Sequence, residues 1–404
     1  MIRLTRLLHG TGTVSQAIKH RKDAPKDVPS GMLAFTETRR PVIFWNITNK
    51  CNLACDHCYI SAGPDKERAG ELSTEEAKAF IDDVSGMGVP LLLFTGGEPL
   101  VRNDFWELAD HAQERKMRAV ISTNGTLITK DVARRLKDSG ISYVGISIDG
   151  SDAETHDAIR NQQGSFEKAI QALKNCVEID LKCGIRITAS KDNVAEIPKL
   201  LDMCLELGVP RFCLYWLVPS GRGEGIYAEK QLSREEILET LDFLYEKAKT
   251  LDPSVIEILT VDAPQDGIYL LKKMSKEGHP EYENAYKLLS FTGDSCSAGD
   301  RAANVDPIGN VFACQFAQRE ELVVGNVREH KFSELWNDQE NAILNRFRNK
   351  KEALKGACGT CLNKDICGGG CRIRALNQHG DIWAEDSMCP CDLLCTPLPQ
   401  QSPS

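Results

Sequence analysis

The sequence lacks long apolar runs and has no excess of positive charge. No stretch stays apolar over the roughly 18 residues that a membrane-spanning helix needs, and the chain shows no signal-peptide pattern. Its formal net charge is -9 at pH 7, whereas proteins that bind nucleic acids usually present a basic surface. We therefore expect a cytoplasmic protein that has neither a membrane nor a nucleic acid as its partner.

Cysteine, in contrast, is abundant, with 16 in 404 residues. In a long chain that is not secreted, thiols serve more often as metal ligands in a reducing compartment than as disulfide partners. The hydrophobic fraction of 42% is enough for one large core or two moderate ones. These features indicate a globular metalloprotein.

Three cysteines stand close together after a short apolar segment, residues 42–45. Cys51, Cys55 and Cys58 have the spacing C-x3-C-x2-C. A [4Fe-4S] cluster takes four thiolates, so a site with three leaves one iron free to bind another ligand. The alternative is a structural zinc site completed by His57, which is less favoured because His57 and Cys58 are adjacent and would hardly face the same ion.

From residue 41 onward, short apolar runs alternate with helix-like stretches, which is the pattern of a parallel sheet covered by helices. The predicted strands are 41–47, 90–95, 117–122, 141–148, 183–189 and 211–217. The predicted helices between them are 74–86, 103–115, 129–138, 165–179 and 195–207. Six strand–helix units predict an α/β fold, a partial (β/α)6 TIM-like barrel, whose ligands bind at the carboxyl ends of the strands.

Glycines and polar residues follow three of these strands. The candidate binding residues are Gly96, Gly97, Glu98 and Pro99 after the second strand, Ser122 and Asn124 at the third, Ser147 and Asp149 at the fourth, and Arg160 at a helix end. Glycine lets a backbone approach a ligand closely, and a guanidinium can hold a carboxylate in a bidentate fork. The same residue types also occur in plain turns and on helix surfaces, and the sequence leaves both interpretations open.

A second group of cysteines lies towards the end of the chain. Its members are Cys296, Cys314, Cys358, Cys361, Cys367, Cys371, Cys389, Cys391 and Cys395. Cys296 and Cys314 enclose Gly309, and the next four have the spacing C-x2-C-x5-C-x3-C. A zinc ribbon needs four ligands, and this group exceeds that number.

Together, these motifs resemble the radical S-adenosylmethionine (SAM) enzymes that carry a cysteine-rich iron–sulfur extension, the SPASM domain. The resemblance implies that Cys51, Cys55 and Cys58 hold a [4Fe-4S] cluster whose open iron chelates S-adenosyl-L-methionine. It also implies that the strand-end residues contact this cofactor. One electron then cleaves it into methionine and a 5′-deoxyadenosyl radical, so that the difficult chemistry belongs to the cofactor.

The resemblance implies auxiliary [4Fe-4S] clusters in the extension as well. One would use Cys296, Cys314 and Cys371, and the other Cys358, Cys361, Cys367 and Cys389. The first set has three thiols, so either it keeps an open site or Cys391 or Cys395 completes it. Gln315 stands where some family members have an aspartate as general base, and an amide cannot take up a proton at neutral pH. This lowers the expectation of that particular side-chain oxidation.

Across nearly the whole chain, the sequence is similar to the tetrapyrrole-tailoring branch of the family. The similarity rests on residues 1–11, 41–48, 259–262, 325–328, 372–375 and 380–384, with Trp336. It implies removal of carboxylate side chains, most directly the acetate groups of 12,18-didecarboxysiroheme in alternative haem or haem d1 biosynthesis. A ferredoxin or flavodoxin would donate electrons. The arginines that could bind such a substrate are Arg3, Arg6, Arg222, Arg301, Arg372 and Arg374.

Two other functions stay open. Complete SPASM cysteine sets are common in maturases that modify a ribosomally made peptide or protein, although the roughly 40 residues before the barrel are short for a peptide-recognition domain. The other alternative is an electron-transfer protein without catalysis. The three-cysteine loop and the Gly96–Pro99 segment argue against it.

We expect the chain to divide into four parts. These are a basic N-terminal segment at 1–40, the barrel at 41–230, a largely helical and charged bridge at 231–290, and the cysteine-rich domain at 291–404. The first part carries eight lysines or arginines against three acids. It is expected either as a solvated, partly disordered arm or as a cover over a bound acidic tetrapyrrole.

Overall fold

The computed structural model describes residues 1–10, 40–67, 69–291 and 296–398. Seven parallel strands form the barrel wall: β1 Val42–Asn46, β2 Leu92–Thr95, β3 Ala119–Thr123, β4 Ile141–Ser147, β5 Cys183–Ala189, β6 Arg211–Trp216 and β7 Glu257–Val261. Helix α1 Leu4–His9 precedes them. The helices between them are α2 Thr74–Gly86, α3 Phe105–Glu114, α4 Lys130–Asp138, α5 Ala153–Arg160, α6 Ser165–Glu178, α7 Ile197–Glu206, α8 Arg222–Lys230 and α9 Arg234–Thr250.

The predicted barrel is confirmed. All six predicted strands and all five predicted helices are present, and their ends move by at most two residues. Local hydrogen bonds explain why the helices start where they do. The Ser73 hydroxyl accepts from the Glu76 N–H (3.3 Å) while the Glu76 carboxylate accepts from the Ser73 N–H (2.8 Å), which is a capping box. The Thr129 hydroxyl caps α4 by accepting from the Val132 N–H at 3.3 Å.

The later part of the chain extends the same sheet. Its elements are α10 Asp266–Glu277, α11 Tyr282–Phe291, β8 Ala302–Val305, β9 Asn310–Phe312, β10 Gly325–Asn326, α12 Phe332–Asn337, α13 Ala342–Arg348, α14 Lys350–Ala353, α15 Gly356–Thr360, α16 Lys364–Cys367, α17 Arg372–His379 and α18 Cys391–Leu394. Strand β8 pairs parallel with β1, and β9 and β10 follow antiparallel. The sheet order is therefore β10-β9-β8-β1-β2-β3-β4-β5-β6-β7.

Two segments differ from the simple expectation. Residues 231–290 are not helical throughout, because β7 lies within them and pairs with β6. The first ten residues are not a solvated arm, because Leu7 and Leu8 of α1 are buried. Ile2 and Thr260 of β7 also exchange backbone hydrogen bonds of 2.7 and 2.8 Å. The remaining basic positions of the N-terminal segment, between 11 and 39, lie outside the described residues.

The core lies between the sheet and its helices. Trp45, Phe94, Phe105 and Phe80 are buried and form edge-to-face or tilted ring contacts at 4.9–5.7 Å. This packing fixes the strand ends relative to one another. None of the helices in the described part of the chain is long and apolar enough to cross a membrane.

Candidate active site

A cleft opens at the carboxyl ends of the strands and encloses about 1080 Å³, including solvent at its mouth. The sequence-predicted residues on its walls are Cys51, Cys55, Cys58, Gly96, Gly97, Ser122, Asn124, Ser147 and Arg160. Glu98, Pro99 and Asp149 are not on this surface and lie behind it. Gln315 and Phe316 of the C-terminal region complete the lining. The structure thus brings most of the predicted residues to one place.

The three-cysteine loop offers its sulfur atoms to N–H donors. The Leu53 N–H donates to Cys51 Sγ at 3.4 Å, and the Ala62 N–H donates to Cys58 Sγ at 3.3 Å. The Arg160 guanidinium donates to Cys55 Sγ at 3.5 Å. Such donors stabilise sulfur as thiolate, the form that binds metals. Burial has the opposite effect and raises the pKa of Cys51 to about 12, so in the metal-free chain this thiol keeps its proton.

The loop does not form the alternative zinc site. His57 turns its Nε2 towards Asp149 Oδ2, 3.4 Å away. Sulfur ligands of one zinc ion lie about 3.8 Å apart when each Zn–S bond is about 2.3 Å. Among the described residues, the sulfurs of Cys389, Cys391 and Cys395 form the one group of three ligand atoms that all lie within 4.8 Å of each other. Cys51, Cys55 and Cys58 do not form such a group, so at least two of their sulfurs lie more than 4.8 Å apart, which is wider than one zinc ion requires.

Two glycines bring β2 against the loop. Gly96 has φ of 132°, and a Cβ on it would lie 2.5 Å from the Thr48 carbonyl oxygen. A Cβ on Gly97 would lie 2.0 Å from the Lys50 carbonyl oxygen and 3.1 Å from Cys51 Cβ. Contacts this short exclude any side chain. The backbone of Gly96–Gly97 therefore forms bare cleft wall directly beside Cys51.

Glu98 supports the wall and does not offer its carboxylate to the cleft. It is fully buried and accepts hydrogen bonds from the Thr123 hydroxyl (2.8 Å), the Asn124 N–H (2.8 Å) and the Leu100 N–H (3.2 Å). These bonds join the end of β2 to the end of β3. Burial raises the pKa of Glu98 to about 7 even though these donors stabilise its charge.

Asp149 is the counter-ion of Arg160. Its Oδ2 lies 2.5 Å from Arg160 Nη2, and its Oδ1 accepts from the Thr188 N–H at 2.9 Å. Burial alone would raise the pKa of Asp149, but the charges of Arg160 and His57 hold it below the usual value. Arg160 is therefore a buried residue that links Asp149 to Cys55, whereas a helix-surface position was the alternative from sequence.

The polar residues on β3 and β4 also have defined partners. Asn124 donates through Nδ2 to Asn52 Oδ1 at 2.8 Å and approaches Cys51 Sγ at 3.8 Å. The Ser122 hydroxyl accepts from Arg186 Nη1 at 2.5 Å. Ser147 lies opposite Arg186 in the pairing of β4 with β5. These contacts tie the cysteine loop to the interior of the barrel.

The C-terminal cysteines fall into two groups. Cys314 lies in apolar clusters with Cys296 on one side and Cys371 on the other, and burial together with these two thiols raises its pKa. The second group contains the remaining predicted ligands, Cys358, Cys361, Cys367 and Cys389, and also Cys391 and Cys395. Cys391 and Cys395 thus lie beside Cys389 and not with the three-thiol set that either might have completed.

Of the six arginines proposed for substrate, Arg222 alone lines the cleft. It donates to the Cys55 and Ala62 carbonyls at 2.7 Å each and so braces the cysteine loop. Arg374 is fully buried in an ion pair with Asp386 at 2.9 Å, and buried Arg372 donates to the carbonyls of Ile382 and Ala384.

Arg3, Arg6 and Arg301 do not line the cleft either. Arg3 pairs with Glu257 at the amino end of β7, which is the opposite end of the sheet. Arg301 comes directly before β8, again at the amino end of a strand. The prediction that these arginines bind substrate rested on residue type. Residue type does not show at which end of the barrel an arginine lies.

Two acidic or basic residues of the cleft are not among the site residues predicted from the sequence. Arg186 lines the cleft from the middle of β5, where a charged residue in an apolar run was the available signal. Asp262 lines it directly after β7, with φ of 71°. It was missed because β7 itself was not predicted.

The walls of the cleft fit a [4Fe-4S] cluster and S-adenosyl-L-methionine. Three thiols with N–H donors, an adjacent wall of bare backbone and a cleft large enough for a small-molecule cofactor stand side by side. Cys51, Cys55 and Cys58 are the residues that could hold the cluster. Gly96, Gly97, Asn124 and Ser147 line the cleft and are the residues that could contact the organic cofactor.

Comparison with known proteins gives the family. Residues 45–204 match the model of the radical SAM superfamily, and residues 296–362 match that of the SPASM iron–sulfur cluster-binding domain. The chain is 42% identical over 395 residues to the Fe-coproporphyrin III synthase of Methanosarcina barkeri, covering 96% of this chain and 97% of that protein. It is 36% identical over 358 residues to the AdoMet-dependent heme synthase of the same organism, covering 89% and 98%.

Among solved structures, Streptococcus suis SuiB bound to S-adenosylmethionine is similar in fold, with a TM-score of 0.69 and 18% identity over 89% of this chain and 80% of that one. Both the parallel barrel with its three-cysteine loop and the cysteine-rich C-terminal region therefore have counterparts in known proteins. SAM and [4Fe-4S] clusters are the cofactors that such a family implies. The chain belongs to the radical SAM superfamily and carries a C-terminal SPASM domain.

Proposed function

We propose that this chain is a radical SAM enzyme of haem biosynthesis that removes the acetate side chains of 12,18-didecarboxysiroheme. The observation that carries the proposal is the 42% identity, over 96% of this chain, to a protein named Fe-coproporphyrin III synthase. Removal of the acetates, from ring carbons that each keep a methyl group, would give a product of the coproporphyrin type. The second relative, named for haem synthesis, supports the same substrate class.

In this proposal, Cys51, Cys55 and Cys58 hold the catalytic cluster, and Arg160 lies beside Cys55 with its charge balanced by Asp149. When bound, the cluster and SAM supply a 5′-deoxyadenosyl radical that can take a hydrogen atom from the substrate. Gly96 and Gly97 allow backbone to reach the organic cofactor.

The C-terminal thiols hold auxiliary clusters in the same proposal. Cys358, Cys361, Cys367 and Cys389 supply four ligands for one cluster. Cys296, Cys314 and Cys371 supply three for another, and Cys391 and Cys395 lie too close to Cys389 to serve as its fourth ligand in this arrangement. Electrons from a ferredoxin- or flavodoxin-type donor would enter through these clusters.

The first experiment tests radical chemistry. The protein is reconstituted without oxygen and mixed with dithionite and SAM, and we expect 5′-deoxyadenosine and methionine well above the cluster-free background. Cys55→Ala should abolish both products. Cys176→Ala removes a buried thiol of α6 outside the cleft and should retain them, so that equal loss in the two variants would contradict the assignment of the loop.

The second experiment tests the substrate. Incubation of the active protein with 12,18-didecarboxysiroheme should lower the mass of the tetrapyrrole by one whole acetate side chain for each group removed. An unchanged tetrapyrrole, while SAM is cleaved at the normal rate, would rule out this substrate. A mass loss matching whole propionate chains would assign the protein to the haem d1 reaction instead.

A further inference from the structure

Arg186 stands inside the barrel with its charge directed at the cleft. It lies in the middle of β5 and lines the same cleft as the three-cysteine loop. Space for it comes from Gly145 on the neighbouring strand β4, because a Cβ there would lie 2.1 Å from Arg186 Nε. A glycine within a strand weakens the sheet and commonly marks a close approach. Gly145 therefore lowers the stability of β4 but leaves room for the guanidinium of Arg186.

The contacts of Arg186 leave its charge unbalanced. Nη1 donates to the Ser122 hydroxyl at 2.5 Å, and the guanidinium carbon lies 5.9 and 5.8 Å from the ring centroids of Tyr143 and Tyr215. Nε is buried and has no hydrogen-bond partner. Unlike Arg160 and Arg374, Arg186 forms no ion pair with a carboxylate of the described residues.

The unpaired guanidinium of Arg186 would be stabilised by an anion from outside the chain. Arginine stays protonated in proteins, and burying a charge without a partner is costly. Ring contacts recover a part of that cost. A guanidinium is suited to a carboxylate, which it binds through parallel hydrogen bonds, and Arg186 lines the cleft where such a group would enter. The missing partner therefore has the chemistry of a carboxylate.

We propose that Arg186 anchors a carboxylate of the tetrapyrrole that the reaction leaves intact, such as a propionate next to the reacting acetate. This inference rests on the proposed function. Pairing with the acetate itself would hold in place the group that has to leave the ring. Pairing with a retained side chain instead orients the ring and leaves the reacting group free.

The test measures the affinity of the reconstituted protein for substrate and product by anaerobic absorbance titration. The two probes are 12,18-didecarboxysiroheme and iron coproporphyrin III. Arg186→Gln should weaken the binding of both by about tenfold or more and to a similar extent, since a bidentate charged contact is lost in each complex. The affinity for SAM should stay within about twofold of the wild type.

Stability separates an anchoring role from a structural one. Because Arg186 is buried without a counter-ion, Arg186→Gln should melt at or above the wild-type temperature in the absence of tetrapyrrole. Gly145→Ala provides a second variant, which displaces the guanidinium while keeping the charge, and should weaken both probes as well. Arg134→Gln, which alters an exposed pair with Asp131, is the matched control and should bind both normally.

Several results would overturn the inference. These are an unchanged affinity of Arg186→Gln for the tetrapyrroles, weaker binding of the substrate but not of the product, or a loss of SAM affinity as large as the loss of tetrapyrrole affinity. Failure of the proposed function is distinguishable, because then the wild type itself would neither bind nor convert the tetrapyrrole. If the wild type binds and converts the tetrapyrrole and Arg186→Gln behaves identically, the proposed function stands and only the role proposed for Arg186 is contradicted.

Discussion

Two buried carboxyl groups near the cleft, Glu98 and Asp149, and the half-buried Asp262 differ in their partners, and these partners decide what each group can do. Glu98 accepts three hydrogen bonds and supports the wall. Asp149 balances Arg160 and stays ionised because that charge holds its pKa low against the effect of burial. Asp262 reaches the cleft with Oδ2 lacking any hydrogen-bond partner. Of the three, Asp262 is therefore the one available to exchange a proton.

Asp149→Asn should destabilise the protein by about 3–5 kcal/mol, the usual cost of leaving one member of a buried ion pair alone. Arg160 would then lie buried beside Cys55 without its counter-ion. The thermal unfolding midpoint of the metal-free protein measures the loss. Asp131→Asn breaks an exposed pair with Arg134 and should cost less than about 1 kcal/mol. Similar shifts in both variants would contradict the role assigned to Asp149.

Asp262 should make tetrapyrrole binding pH-dependent. Burial raises its pKa from 3.8 to about 7, with Arg374 and the Met1 amino group opposing the shift and Asp266 adding to it. Below pH 7 the group is neutral, and above it the carboxylate repels the acidic substrate. We expect the affinity for 12,18-didecarboxysiroheme to fall by about tenfold as the pH rises from 6 to 8.

Asp262→Asn should remove this dependence and keep the low-pH affinity at both values. The effect of Asp262 on the free energy of unfolding has the same direction as its effect on binding, because both decrease as the pH rises. The folded chain holds the proton between the unfolded pKa of 3.8 and the folded value of about 7, so this contribution to stability declines as the pH rises through that window. An Asn variant with the wild-type pH profile would exclude Asp262 as the titrating group.

At the scale of elements, the end of β2 and the cysteine loop depend on each other for their positions. Gly97→Ala would place a Cβ 2.0 Å from the Lys50 carbonyl oxygen, and a rigid backbone cannot yield as a flexible side chain can. We expect the displaced loop to lower the iron bound after reconstitution and to reduce SAM cleavage at least about tenfold.

Gly225→Ala is the matched control for Gly97→Ala. Gly225 lies in α8, and a Cβ there meets no atom within 4 Å. Alanine favours a helix over glycine by about 1 kcal/mol, so this variant should be as stable as the wild type or slightly more so. Normal iron content in Gly97→Ala, or a matching defect in Gly225→Ala, would show that the close approach at β2 is not needed.

The elements were predictable where the periodic pattern was regular, and the side-chain partners were not. The strands from β1 to β6 follow from apolar runs separated by helix-length segments, and the cap residues Ser73 and Thr129 mark helix starts. Strand β7 is short and lies between charged helices, so its pattern was hidden. Arg374 and Arg222 were expected at substrate because both are arginines near motifs. The carbonyl groups that Arg222 and Arg374 contact come from distant parts of the chain. Asp386 is only 12 residues from Arg374, but no local pattern in the sequence indicates that the two pair.

At the scale of the whole molecule, the cysteine-rich part is built into the barrel sheet. Strand β8 pairs with β1, and Asn304 of β8 donates to the Phe44 carbonyl and to Asn46 Oδ1 at 2.7 Å each. Tyr59, directly after the third loop cysteine, contacts Phe316 with ring centroids 5.8 Å apart. Movements of one part are therefore transmitted to the other through packed contacts.

The ion pair of Arg374 and Asp386 lies in the cysteine-rich part and contacts the barrel at a buried point. Both side chains are fully inaccessible. Arg374 also donates to the carbonyls of Leu217 and Asp262 at the ends of β6 and β7, and Asp386 accepts from the Cys371 N–H at 2.8 Å. The pair thus connects the barrel side of the cleft with a predicted cluster ligand.

This connection predicts a non-additive pair of substitutions. Arg374→Met should lower stability by about 3–5 kcal/mol, because Asp386 would remain buried and charged. Adding Asp386→Asn removes that charge while leaving an oxygen for the Cys371 N–H, so the double variant should recover part of the loss, about 1–3 kcal/mol. The measurement is the thermal midpoint of the anaerobic reconstituted protein, with bound iron counted in parallel.

Arg319→Met serves as the control, since Arg319 also bridges the two parts through Glu224 but lies at the surface. Exposed pairs contribute about 0–1 kcal/mol, so this variant should lose little. If burial of the charge is what matters, Arg374→Met alone lowers both stability and iron content, and the double variant is more stable than the single one. A double variant less stable than Arg374→Met would mean that Asp386 acts mainly through its other hydrogen bonds, and the pair would then not be the point that joins barrel and cysteine-rich region.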